Sequence, residues 1–199
     1  MSTAILPPLP SPSQAWGNRL LALLLPLFLL AALSCLAGGA QPNQAQGQNL
    51  ERSVKAAFLY KFLGYVEFQG EAPAQYTVGV MEADDVAAEL TQIAKGRTVN
   101  NRPIEVKSLH EGDALNGVQL LFIGGDTSRP QQVLRAAAQQ GVLTVTEVEN
   151  GLQQGSVINF RVVEDRVRFE VSLPAAEKNN VKLSSRLLSV AYQVQKGGQ

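Results

Sequence analysis

The hydrophobic pattern of this chain changes period several times. The stretch AAFLYKFLGYVEF, Ala56 to Phe68, holds five of the twelve aromatic residues. Asn49 or Ser53 can act as N-cap, and the pattern predicts a helix to about Val66, interrupted by Gln69, Gly70 and Pro73. At 100° per residue, Val54, Phe58, Phe62 and Tyr65 form one stripe, with Ala57 and Phe68 at its margin. Leu59, Leu63 and Val66 fall on the opposite side with Tyr60 at its edge, so the helix is apolar nearly all round. A sheet can cover the first stripe. The second needs another cover: the C-terminal LSSRLL segment, a dimer mate or a protein partner. Leu59, Tyr60, Leu63 and Val66, with Arg186 of LSSRLL, are therefore the candidate partner or dimer interface.

Further along, β and α patterns alternate. YTVGVM (76–81) predicts a strand, DDVAAELTQIAKG (84–96) an amphipathic helix with an acidic start and a glycine stop, and PIEVKSL (103–109) a second strand. VQLLFIG (118–124) is the continuous apolar run of a buried parallel strand. Ser128 and Gln131 form a capping box for a helix over 129–140, and the strand VLTVTEV follows. Beyond Gly151 the period becomes two. Ile158, Phe160 and Val162, then Val167, Phe169, Val171 and Leu173, alternate with polar neighbours across Glu164-Asp165, which predicts an antiparallel hairpin. Ser184 caps a last helix with Leu187, Val190, Ala191 and Val194 on one stripe. These elements predict an α/β fold: a three-layer sandwich, its mainly parallel sheet carrying an antiparallel edge hairpin, with helices on both faces.

The start of the chain is of another kind. Arg19 precedes LLALLLPLFLLAAL (20–33) and then the small residues of SCLAGGA, the pattern of an export signal. The apolar run, about 14 residues and broken by Pro26, is short for a spanning helix. Residues 1–40 thus read as a signal peptide and 41–49, containing QPNQAQGQ, as a flexible linker, with the domain over 50–195. Cys35 is the only cysteine. It follows ALS as a lipidated cysteine would, though Ala32 stands where that signal favours Leu; cleavage near Ala37 or Ala40 would instead discard it. Without a second cysteine in the domain, no intramolecular disulfide contributes to stability.

Charge excludes one class of function. Lys plus Arg and Asp plus Glu both number 17, with no basic run to follow a phosphate backbone, so nucleic acid is not expected as a partner. The lone histidine, His110, sits in LHEGD as a solvated loop residue rather than a metal ligand. FIGGDTS joins a buried strand to a helix N-terminus, where backbone N–H groups can hold an anion; Gly124, Gly125, Asp126 and Ser128 are the candidate ligand turn. The plain alternative is a tight turn followed by a cap. No nucleophile–base pair is evident, so neither an enzyme nor a cofactor is expected.

Two segments carry a family resemblance. VKAAFLYKFLGYVEF and INFRVVEDRVRFEVSLPAAEKNNVKLSSRLLSVA resemble the opening helix and the close of the YfiR/HmsC-like periplasmic proteins, with GVM, LLFIGGD and VLTV in matching order between them. The likeness covers about Leu50 to Val194. It departs at Phe68-Gln69, where the family often has Trp-Pro, and in lacking the paired cysteines of some members. The resemblance implies a periplasmic repressor that binds the periplasmic part of an inner-membrane diguanylate cyclase, or of another sensor, and so lowers cyclic-di-GMP signalling and biofilm formation. It also implies a homodimer, meeting the membrane only through its partner or a lipid anchor. The alternative is a small-molecule or envelope-stress sensor with its ligand at the Gly124-Gly125 turn.

Overall fold

Among the described residues eight strands form one sheet, and its composition follows from how each strand is covered. The computed structural model describes residues 43–70 and 72–197. The signal peptide, Cys35 and the first residues of the linker lie outside the described residues. The elements run α1 (Asn43–Phe62), β1 (Val66–Phe68), β2 (Tyr76–Met81), α2 (Asp84–Ala94), β3 (Thr98–Val99), β4 (Arg102–Leu109), β5 (Leu120–Ile123), α3 (Pro130–Gln139) and β6 (Leu143–Thr146). They continue with α4 (Gly151–Gln154), β7 (Ile158–Val163), β8 (Arg166–Ser172), α5 (Leu173–Lys178), β9 (Val181–Leu183), α6 (Ser185–Val190) and β10 (Gln193–Gln195).

The sheet order is β10-β8-β7-β6-β5-β2-β4-β3, with β1 and β9 forming a separate antiparallel pair. The central strands β4, β2, β5, β6 and β7 run parallel, whereas β7–β8 and β3–β4 are hairpins. Leu120 to Ile123 are all fully buried, which is why LLFI shows no alternation: helices cover both of its faces. Alternation instead sorts side chains between two cores. Val78, Val80, Leu120, Phe122 and Val145 pack with Ala56, Leu59, Phe62 and Leu63 of α1 and with Val86 and Leu90 of α2. Met81, Leu121 and Ile123 pack with Leu134 and Ala137 of α3. The fold is the three-layer α/β sandwich expected, with the β7–β8 hairpin bordered by the short β10.

The first helix differs from its expected course in three ways. It begins by Asn43, so much of the expected linker is helical; Gln and Ala are good helix formers, and a nucleated helix propagates through them at little cost. It ends at Phe62, where Gly64 and Tyr65 N–H groups bond back to the Lys61 and Phe62 carbonyls. Tyr65, Val66 and Phe68 therefore leave the helical wheel, and Val66–Phe68 becomes a strand paired with Val181–Leu183. Most consequentially, Leu59 and Leu63 lie in the main core at zero exposure, with Val66 nearly as buried. The buried arc of α1 is centred near Leu59, on the expected back face itself, with Phe62 of the aromatic stripe at its margin.

At the other end, α6 stops at Val190 and the chain turns into β10, which runs parallel to β8. Ser184 caps α6 as expected, accepting from the Leu187 N–H at 3.3 Å. The helix LPAAEK and the strand VKL were not foreseen; Ser172 starts that helix by accepting from the Ala175 N–H.

Because Leu63 is core, Leu63→Asp should remove about 4 kcal/mol or more of stability and unfold the domain globally. Urea titration followed by circular dichroism checks it; a folded variant of near-normal midpoint would contradict the packing described.

Candidate functional site

The loops following the carboxyl ends of β2, β5 and β6 meet the N-terminal half of α1, the place where parallel α/β sheets commonly bind ligands. Gly124 is required there by close approach: a Cβ on it would sit 2.4 Å from the Glu82 carbonyl oxygen. Gly125 follows, and its N–H donates to Glu147 Oε1 at 3.2 Å. Glu147 extends beyond β6, and its other carboxylate oxygen accepts from Lys55 of α1. Glu51, one helical turn earlier, lies 2.5 Å from the same ammonium. One lysine thus joins the first helix to the sheet's carboxyl edge.

The N-terminus of α3 is closed by a second internal carboxylate. Arg129 occupies the N-cap position and makes no side-chain cap bond, so the expected Ser128 capping box does not form. Glu111 Oε1, from the loop after β4, accepts from both the Ser128 and Arg129 N–H groups. This is the helix-dipole anion site of the sequence reading, occupied by the chain's own carboxylate. Glu82 holds that loop in turn, accepting from the Glu111 N–H at 3.1 Å, with His110 Nδ1 3.5 Å away. Asp113 accepts from the His110 N–H, and the imidazole is largely solvent-exposed. Of the four expected ligand-turn residues, Gly124 is a packing necessity and the N–H groups of Gly125 and Ser128 are internally bonded. Asp126 is exposed.

A cleft of about 770 Å³ opens beside Gly125, lined by Lys55, Glu147, Asn150, Arg161, Glu170 and Gln193 among others. Its floor is ordered by buried polar groups. Asn159 donates through its amide to the Thr146 and Val148 carbonyls at 3.2 Å, and the buried Glu170 pairs with Arg161 at 3.0 Å. Among the described residues, no group of three His, Cys, Asp or Glu side chains is placed to hold a metal.

The candidate interface on α1 needs correction. Leu59, Leu63 and Val66 are buried, so they offer no surface to another chain. Tyr60 is half-buried; Arg97 lies over its ring at 5.8 Å and its hydroxyl donates to the Thr98 carbonyl at 3.4 Å. Arg186 is exposed on α6. Lys55, Glu111 and Glu147 were missed. Only the Glu51–Lys55 spacing of four residues was a visible signal.

Burial by itself would lower the Lys55 pKa, but hydrogen bonds to Glu147 and Glu51, and their charges, outweigh it and hold the group above the ordinary lysine value of 10.5. A raised folded-state pKa means that this contribution is complete below the unfolded value and is lost as pH rises through the folded one.

With the geometry in place, the class is that of a three-layer α/β domain whose carboxyl-end turns are closed by its own charges. Comparison with protein-family models matches residues 52–192 to YfiR/HmsC-like, and the chain belongs to that family. The match runs from the first helix to the residue before β10, spanning both cores. Among the described residues no helix is long and apolar enough to cross a membrane.

Two substitutions test the site. Gly124→Ala should cost about 3 kcal/mol, because the obstructing atom is backbone and cannot swing aside. Lys55→Met should cost about 1–3 kcal/mol at pH 8, with the difference from wild type narrowing once the pH is raised above the ordinary lysine value of 10.5. Urea unfolding of both proteins at the two pH values reads each effect.

Proposed function

We propose that this chain is a periplasmic regulatory binding protein that represses an inner-membrane diguanylate cyclase by engaging the cyclase's periplasmic part. The observation that carries the reading is membership of the YfiR/HmsC-like family across residues 52–192, a family that is regulatory rather than catalytic. Repression of this kind is differential binding. The regulator must prefer the inactive cyclase by a few kcal/mol, since equal affinity for both states shifts nothing.

The surface supports a protein partner. Leu59 and Leu63 being core, the exposed large apolar side chains are Leu50 near the start of α1 and, in the last part of the domain, Val162 at 55%, Val190 and Tyr192 at 56%. Val162 faces Val167 across the hairpin, and the Tyr192 N–H bonds to the Phe169 carbonyl at 2.8 Å, two residues further along β8. Val190, 65% exposed, precedes them at the end of α6. The hairpin and the C-terminal segment thus present large apolar side chains on a rigid support, a composition suited to a binding surface.

Deleting the gene should raise cellular cyclic-di-GMP, and the purified domain should retain a GGDEF-type cyclase from solubilised membranes. Val162→Asp combined with Tyr192→Asp should abolish that retention while leaving the unfolding midpoint within about 0.5 kcal/mol of wild type. Unchanged nucleotide levels together with no cyclase retained would overturn the reading.

A further inference from the structure

The cleft beside Gly125, about 770 Å³, has the volume of a small-molecule site and opens at the carboxyl end of β6, a usual place for ligands in open α/β sheets. Its walls are fixed by packing. Gly151, at the start of α4, sits directly on the polar floor: a Cβ there would lie 2.4 Å from side-chain atoms of both Asn159 and Thr146. That contact holds α4 and the residue before it in place, and Asn150 and Gln153 line the cleft from this support. On β10, Gln193 and Gln195 stand in register with Glu170 and Ser172, which turns both onto the Glu170 face of the sheet. All four amides are exposed, and none has a side-chain hydrogen-bond partner among the described residues.

The charged groups of the lining are matched to one another. Lys55 is held by Glu51 and Glu147, and Arg161 Nη1 donates to Glu170 Oε1 at 3.0 Å. A free anion would have to displace a carboxylate from Lys55 or Arg161, and a free cation would have to displace the ammonium or the guanidinium. A hydroxyl group displaces neither. Arg161 has further N–H donors beyond the one used on Glu170, and the second Glu170 oxygen has no partner among the described residues. Two neighbouring hydroxyls can therefore accept from the guanidinium and donate to the carboxylate together. Each free amide likewise donates and accepts, as a hydroxyl does. Val162, 55% exposed, and the half-buried Val148 supply an apolar stretch for the C–H face of a ring. We propose that this cleft binds a neutral polyhydroxylated ligand, a short oligosaccharide, through Arg161 with Glu170 and through the amides of Asn150, Gln153, Gln193 and Gln195. This inference stands independently of the cyclase reading.

Isothermal titration calorimetry of the exported full chain with cellotetraose, maltotetraose and chitotetraose tests it, because all three are neutral and hydroxyl-rich and they differ in linkage or acetamido groups. At least one should bind with a dissociation constant below about 1 mM. Arg161→Lys keeps a positive charge beside Glu170 but loses the forked donors, and should weaken that binding by about tenfold or more. Gln153→Ala combined with Gln193→Ala should do the same. Arg168→Lys is the control: Arg168 lies opposite Arg161 in the hairpin but does not line the cleft, so its replacement should leave binding unchanged. Unchanged urea midpoints establish that each variant is folded. No binding of any of the three sugars at about 10 mM, an affinity unchanged in either cleft variant, or tighter binding of spermidine or glutamate than of any sugar would overturn the proposal.

Discussion

The domain closes on a contact between its first helix and its last hairpin. Phe58 and Phe62 of α1 meet Phe160 of β7 and Phe169 of β8 with ring centroids between 5.1 and 6.0 Å apart, and Phe122 of β5 joins Phe160 at 6.0 Å. Each such pair contributes roughly 0.5–1.5 kcal/mol beyond its buried area. The contact joins segments about a hundred residues apart, and β1–β9 and the Ser184–Tyr65 backbone bond repeat the connection nearby. Loop closure over that distance costs entropy that local helices cannot offset, so the aromatic density of α1 is concentrated where the longest-range contacts are made. The central β-α-β units can pair early; the layer over them is complete only when both ends arrive.

That closure also determines what remains at the carboxyl edge of the sheet. Once α1 is seated, Lys55 is brought against Glu147, and Glu147 against the Gly125 N–H. Glu111 arrives from the opposite direction and fills the α3 N-terminus. A helix start and a glycine turn that would otherwise attract an outside anion are thus satisfied by carboxylates of the chain itself. The adjoining cleft retains charge of both signs, but in pairs: Lys55 with Glu51 and Glu147, and Arg161 with Glu170.

Elements whose partners lie close in sequence were legible. The alternation of INFRVV and RVRFEV defines a hairpin because one face is buried and one is wet, and LLFI reads as a central strand because neither face is wet. Three-residue strands such as VEF and VKL carry too little pattern; each is a strand only because the other lies beside it. The burial of Leu59 and Leu63 was misread for a related reason. Counting Tyr65, Val66 and Phe68 as helical moved the apparent stripe away from Leu59, whereas the helix stops at Phe62 and its apolar arc is broad enough for the sheet and α2 together. Glu111 as a cap for α3 was beyond reach, since nothing local distinguishes a loop glutamate that meets a distant N–H pair from one in water.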